Sequence, residues 1–146
     1  MMATIKKKET ALDRVAKNGG TLSNCSDELK ADREVVLLAV KNNGTALCWA
    51  NELFKFDKEI CLIAVANNGY AYNYISPEFQ ALREFVEPAV ANIGYMLEDV
   101  PEIYKNDREI VLSAIASCDY ALKFASTEIC NDHQVALSAV EKCWFK

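Results

Sequence analysis

Turn-forming residues are scarce in this 146-residue chain, which has only five glycines and three prolines. So few of them exclude a loop-rich all-β fold and a collagen-like one. Basic residues are also short, with 16 Lys and Arg facing 21 Asp and Glu for a net charge of −5. That deficit speaks against nucleic acid and against an anionic membrane as partners, because both require a basic surface. No apolar run approaches the roughly 18 residues that suggest a membrane span. The start, Met-Met-Ala-Thr-Ile-Lys-Lys-Lys-Glu-Thr, is basic but has no apolar stretch behind it. No signal peptide is therefore expected, and the chain reads as intracellular and cytoplasmic.

Groups that carry chemistry are equally sparse. The single histidine, His133, falls in the first turn of a predicted helix, where it reads as a solvated surface residue. No Ser, Cys or Asp pairs with it as nucleophile and base. Gly19-Gly20 reads as a helix-end turn and not as a phosphate cradle. Carboxylates sit in capping positions, not in a calcium-loop pattern. No CxxC pair occurs among Cys25, Cys48, Cys61, Cys118, Cys130 and Cys143, which read as free thiols used as small apolar fillers. No catalytic residue, cofactor or metal ligand is expected, and the chain reads as non-enzymatic.

What is present is apolar content and repetition. Hydrophobic residues make up 51% of the chain and charged ones 25%, enough for one domain with a core and too apolar for disorder. Asp32-Arg33-Glu34, Asp57-Lys58-Glu59 and Asp107-Arg108-Glu109 lie 25 or 50 residues apart. Lys7-Lys8-Glu9, Leu82-Arg83-Glu84 and Asp132-His133-Gln134 complete the series. Units thus begin at residues 7, 32, 57, 82, 107 and 132, with residues 1–6 left as a disordered tail and 7–146 as a single repeat domain.

Each unit reads as two short helices. An N-terminal Asp can accept the free amides of the first turn, and the Glu two residues later suits the positive end of the helix dipole. Apolar residues follow at helical spacing, as in Val35, Val36, Leu37, Ala39 and Val40. Asn42-Asn43-Gly44 and Asn67-Asn68-Gly69 close the helix, with Gly19 and Gly94 in the same position, which predicts a left-handed glycine cap. Ala46-Leu47-Cys48-Trp49-Ala50 begins a second, shorter helix. An apolar anchor then recurs at Leu29, Phe54, Phe79, Tyr104 and Ile129. Helices this short bury their apolar faces only by stacking, so the predicted fold is an all-α solenoid of about six helix-pair units. The sixth stops after its first helix, whose outer flank is expected to be polar at Glu141 and Lys142.

A solenoid displays equivalent positions as rows. One row is Tyr70, Tyr95 and Tyr120, with Phe145 after them. These rings either form a strip for an extended peptide, as aromatic hot spots do, or fill gaps between units. A second row, Lys8, Arg33, Lys58, Arg83, Arg108 and His133, either meets phosphates or is neutralised by the Asp and Glu of neighbouring units. In the fourth unit Glu87 replaces a recurrent leucine and Pro88 falls inside the helix, which predicts a kink, or a face turned to solvent or to a partner beside Tyr95.

The string from Asp32 to Gly44, Ala46-Leu47 with Trp49-Ala50, Asn67-Asn68-Gly69, and Asp107 through Ala125 resemble the repeats called domain of unknown function 4116. The resemblance runs from about Lys7 to Trp144, and the fourth unit departs from it at Leu82, Glu87, Pro88 and Ile93. It implies a helical repeat, often in tandem arrays within large proteins of protists, giant viruses and host-associated bacteria. It implies no established activity and no catalytic residues. The expectation is a protein-interaction module or scaffold using Tyr70, Tyr95, Tyr120, Glu87 and Pro88. The alternatives are a nucleic-acid or phospho-ligand binder using Arg33, Lys58, Arg83 and Arg108, or a structural subunit of a larger assembly.

Overall fold

The computed structural model describes residues 4–144, and the side chains of residues 4–141. Phe145 and the side chains of Lys142, Cys143 and Trp144, all named above, lie outside the described residues. Six long helices step along the chain at the expected interval: α1 (Lys8–Lys17), α2 (Arg33–Asn42), α3 (Lys58–Asn67), α4 (Arg83–Asn92), α5 (Arg108–Ser117) and α6 (His133–Trp144). Their starts follow from sequence. Asp32 accepts from the amides of Glu34 and Val35 at 3.0 and 3.2 Å. Asp57, Asp107 and Asp132 cap the next helices in the same way. Each helix buries one stripe, such as Val35, Val36, Ala39 and Val40, against its neighbours. The result is an all-α stack, and none of its described helices is long and apolar enough to cross a membrane.

The second half of each unit differs from the expected helix. It is a 3₁₀ helix of five or six residues, at Gly19–Asn24, Gly44–Trp49, Gly69–Tyr74, Gly94–Glu98 and Asp119–Phe124. A single turn follows, as at Pro77–Gln80. Short pieces of this length are where the i→i+3 helix is common. The Ala46 amide, for example, donates to the Asn43 carbonyl at 2.9 Å.

The glycines do not form left-handed caps, because no glycine has a positive φ among the described residues. Asn43 ends α2 instead, in extended conformation (φ −145°, ψ 106°), and its side chain accepts the Thr45 amide. Gly44 is small because the next unit crosses it: a Cβ there would lie 2.1 Å from the Ala64 carbonyl oxygen. The partner position is alanine in every later unit, Ala39, Ala64, Ala89, Ala114 and Ala139, whereas the first unit carries Arg14.

Three hydrogen-bond ladders hold the units in register. In the first, the Gly44 amide donates to Asn67 Oδ1 at 2.7 Å while Asn67 Nδ2 donates to the Lys41 carbonyl at 3.0 Å. Asn42 and Asn92 meet Gly19 and Gly69 likewise, and Ser117 takes the role toward Gly94. The second ladder is backbone only: Asn51, Ser76 and Ser126 donate to the carbonyls of Lys30, Lys55 and Lys105 at 2.9–3.0 Å. Pro101 has no amide to continue it toward Gln80. There the buried Tyr72 hydroxyl donates to the Gln80 carbonyl at 2.5 Å, and Gln80 Nε2 returns a bond to the Tyr72 carbonyl. The third ladder is ionic and runs along the basic row.

Two expectations at the ends change. Residues 4–6 are not part of a loose tail, because Ile5 is buried and docks beside Cys25. Its amide donates to the Asn24 carbonyl and its carbonyl accepts from Ser26, both at 2.8 Å, so Ile5 stands where Lys30 and Lys55 stand in later units. At α6 the flank is apolar as well as polar. Leu137 and Val140 are 44% and 51% exposed, although Val40, Val65 and Val90, equivalents of Val140, are fully buried.

Candidate interaction surface

The aromatic row lies on the 3₁₀ helices. Tyr70, Tyr95 and Tyr120 follow the first residue of successive 3₁₀ segments, so they recur at the 25-residue step in the same place of units three to five. They are 51%, 46% and 66% exposed, which leaves about half of each ring in solvent. Tyr95 leans on Phe124 of the next unit, with ring centroids 5.9 Å apart. Position 124 is also the place of Trp49 and Tyr74 in earlier units, and both of these are partly exposed. Units three and five therefore carry rings at both positions, Tyr70 with Tyr74 and Tyr120 with Phe124, and Phe124 abuts Tyr95 of the unit before. Sequence reading missed Trp49, Tyr74 and Phe124 as members, although their 25-residue spacing was visible. In the fourth unit this second position holds Asp99, which accepts from Asn73 Nδ2 at 3.4 Å. Lys123 Nζ sits 4.8 Å from the Phe124 ring centroid, a cation–π contact on the strip itself. A cleft of about 500 Å³, lined by Asp119, Tyr120, Leu122, Lys123 and Cys130, extends the strip.

The basic row is engaged between units. Lys8 reaches Asp32 and Glu34, both at 2.8 Å, and Arg33 reaches Asp57 at 3.3 Å and Glu59 at 2.6 Å. Lys58 has Glu84 alone at 2.8 Å, because Leu82 replaces the capping aspartate. Arg83 holds Asp107 at 2.5 Å and Glu109 at 2.8 Å, and Arg108 meets Asp132 and Gln134. The carboxylates act on protonation as the geometry requires. Contact with Lys8 holds Asp32 below the ordinary carboxylate range. Burial works to raise Asp107, but the Ile110 amide and the Arg83 guanidinium override it and hold it low. His133, the last member of the row, is exposed at the start of α6.

Glu87 and Pro88 lie on α4, in the long-helix layer and not on the aromatic edge. The helix runs unbroken through Pro88 from Arg83 to Asn92, so no break in the stack occurs there. Glu87 is exposed and accepts from Arg83 at 2.5 Å, joining the inter-unit pair in place of a leucine that would have packed. Arg83, Glu87, Pro88 and Glu109 share one open cleft of about 420 Å³. The fourth unit's irregularity and Tyr95 thus belong to different layers.

The cysteines described, Cys25, Cys48, Cys61, Cys118 and Cys130, are all free thiols. Cys61 is buried, and burial, with Asp57 nearby, pushes its thiol up to about 12.

The overlapping helices and repeated bonds have a counterpart in comparison with known families. The model called Domain of unknown function (DUF4116) matches residues 7–55, 39–80, 83–130 and 107–145. The chain belongs to the DUF4116 family. Two of these segments start at residues 7 and 107, where units one and five begin. No curated protein and no solved structure matches the chain. In this chain the second unit shows what one repeat offers its neighbours: Gly44, Ala39, Asn42 and Arg33, with Asp32 and Glu34 facing back.

Proposed function

We propose that this DUF4116 chain is a non-enzymatic protein-interaction module whose partner lies along the aromatic strip. One observation carries the reading: Tyr70, Tyr95 and Tyr120 stay half exposed at the same place in three successive units, and Trp49 and Tyr74 at the second ring position are exposed as well. Rings exposed in a row supply large contact area with little side-chain entropy to lose, which is why Tyr and Trp dominate interface hot spots. The basic row supports the nucleic-acid alternative less well, since its lysines and arginines already face carboxylates of the following unit. A cytoplasmic location goes with this reading, supported by the free thiols.

The test compares wild type with a Tyr70, Tyr95, Tyr120→Ser variant that keeps its helical circular-dichroism spectrum, each used to capture proteins from source cells in high salt. Proteins held by wild type and lost by the variant support the reading. Equal capture by both ends it.

A second reading, a structural subunit of a larger assembly, is favoured by the exposed Leu137 and Val140 on α6. Under it, sedimentation shows an assembly that Leu137→Lys with Val140→Lys disperses.

A further inference from the structure

The net charge of this protein is not spread evenly. The five segments that join the long helices, residues 19–31, 44–56, 69–81, 94–106 and 119–131, hold nine carboxylates against four lysines. Everything else holds twelve charges of each sign, so the whole −5 resides on these joining segments, with Glu98, Asp99 and Asp119 at the 3₁₀ stretches that carry the rings. Two of the four lysines are already engaged within their own turns, Lys55 with Glu52 at 2.6 Å and Lys105 with Glu102 at 2.9 Å. By contrast the long-helix layer balances its charge between units through the ionic ladder.

The carboxylates and rings also interleave. Asp99 occupies in the fourth unit the position of Trp49, Tyr74 and Phe124, and it accepts from Asn73 Nδ2, three residues after Tyr70, at 3.4 Å. Glu98 precedes it and is exposed. Exposed ring faces attract cations, and Lys123 over Phe124 already shows that contact on this strip. Resting on the reading that the strip is a partner surface, we propose that its occupant is an extended protein segment rich in Lys or Arg, whose cationic side chains stack on Tyr70, Tyr95 and Tyr120 between the carboxylates. The charge of the edge raises the rate of encounter, and the rings hold the bound segment where salt would screen charge alone.

The experiment presents a random peptide library to three proteins: wild type, the Tyr70, Tyr95, Tyr120→Ser variant, and Glu98→Gln with Asp99→Asn, which keeps side-chain size and fold. Peptides retained by wild type are expected to be enriched in Lys and Arg and lost by the tyrosine variant. The carboxamide variant should bind a selected peptide about tenfold more weakly at low salt, with a smaller difference at high salt. Retained peptides that depend on the tyrosines but show no basic enrichment would overturn the cationic segment and leave the strip as a surface. Basic peptides bound equally by the tyrosine variant would overturn it as general charge attraction. If no retained peptide depends on the tyrosines, it falls together with the reading it rests on.

Discussion

The amide of Gly44 donates to the side-chain oxygen of Asn67 in the next unit, 2.7 Å away, and the same asparagine donates back to the carbonyl of Lys41. One side chain thereby satisfies two backbone groups left over at the end of α2, where a helix always has unpaired carbonyls. The contact needs glycine on one side, because any Cβ would meet the Ala64 carbonyl. Fit and hydrogen bonding at this crossing are one device.

Gly44→Ala is expected to destabilise by about 2–4 kcal/mol, since a Cβ 2.1 Å from a backbone oxygen forces the two units apart. Gly20→Ala is the control. Its Cβ would meet side-chain atoms alone, Asn18 Oδ1 at 3.1 Å and Asn43 Nδ2 at 3.9 Å, and a change within about 1 kcal/mol is expected. Urea melts of both variants decide the matter, and equal effects would refute the crossing argument.

Asn67→Ala removes both bonds of the bridge and should cost about 1–3 kcal/mol. Asn67→Ser should cost less. Ser117 already performs the role in the fifth unit, accepting from Gly94 at 3.1 Å and donating to the Asn92 carbonyl at 3.2 Å. Thermal unfolding of the two variants side by side would rank them.

Ser76 is 3% exposed and its hydroxyl has no hydrogen-bond partner. At the equivalent position Ser126 donates to Asn106, but the residue corresponding to Asn106 is Phe56. Ser76→Ala deletes an unsatisfied buried group and should leave stability unchanged or raise it by about 1 kcal/mol. Ser126→Ala should lower it. A rise in midpoint for the second variant would contradict this account.

Acid should loosen the stack. Asp32 and Asp107 have lowered values in the folded chain, so the unfolded chain binds protons more readily than the folded one. Their contribution is present above the unfolded value, near pH 4, and is lost as pH falls through the folded values. Unfolding midpoints should be flat near neutrality and decline below about pH 4, less steeply in Asp32→Asn with Asp107→Asn. Because the pairs are exposed, high salt should flatten the neutral-pH advantage.

Thiol chemistry offers a check on burial. Cys61 and Cys25 are buried and their thiols raised, so iodoacetamide at pH 8 should label them only after denaturation. Fast labelling of Cys61 in the native chain would show that α3 opens readily.

The unit length, its boundaries and the long helices were legible because period and capping are local: Asp32, Asp57 and Asp107 announce themselves by position. The 3₁₀ segment was not, since Ala46-Leu47-Cys48-Trp49 suits either helix type and the choice depends on how little chain separates Asn43 from Ala50. The role of the glycines was misread for a related reason. A glycine after a helix has two physical uses, and only the neighbour 20 residues on, the unvarying alanine, tells close approach from a left-handed turn. The neutralised basic row followed from sequence, as an Asp–x–Glu lies one unit beyond Lys8, Arg33 and Arg83. Exposure of Tyr70, Tyr95 and Tyr120 did not, because an aromatic row fits a gap between units as well as an edge. Ile5 escaped notice because a docking site 20 residues away has no mark in the tail itself.

The second unit carries both halves of the asparagine and ionic ladders, a forward set in Gly44, Lys41 and Arg33 and a rearward set in Asn42, Ala39, Asp32 and Glu34. A copy of that unit inserted beside the original would find its complement on both sides. Length is then a quantity that duplication can change in single steps without reinventing a core, and the edge of rings and carboxylates lengthens with it. For such a chain the number of units is itself a heritable setting, adjustable to the reach of whatever lies along it.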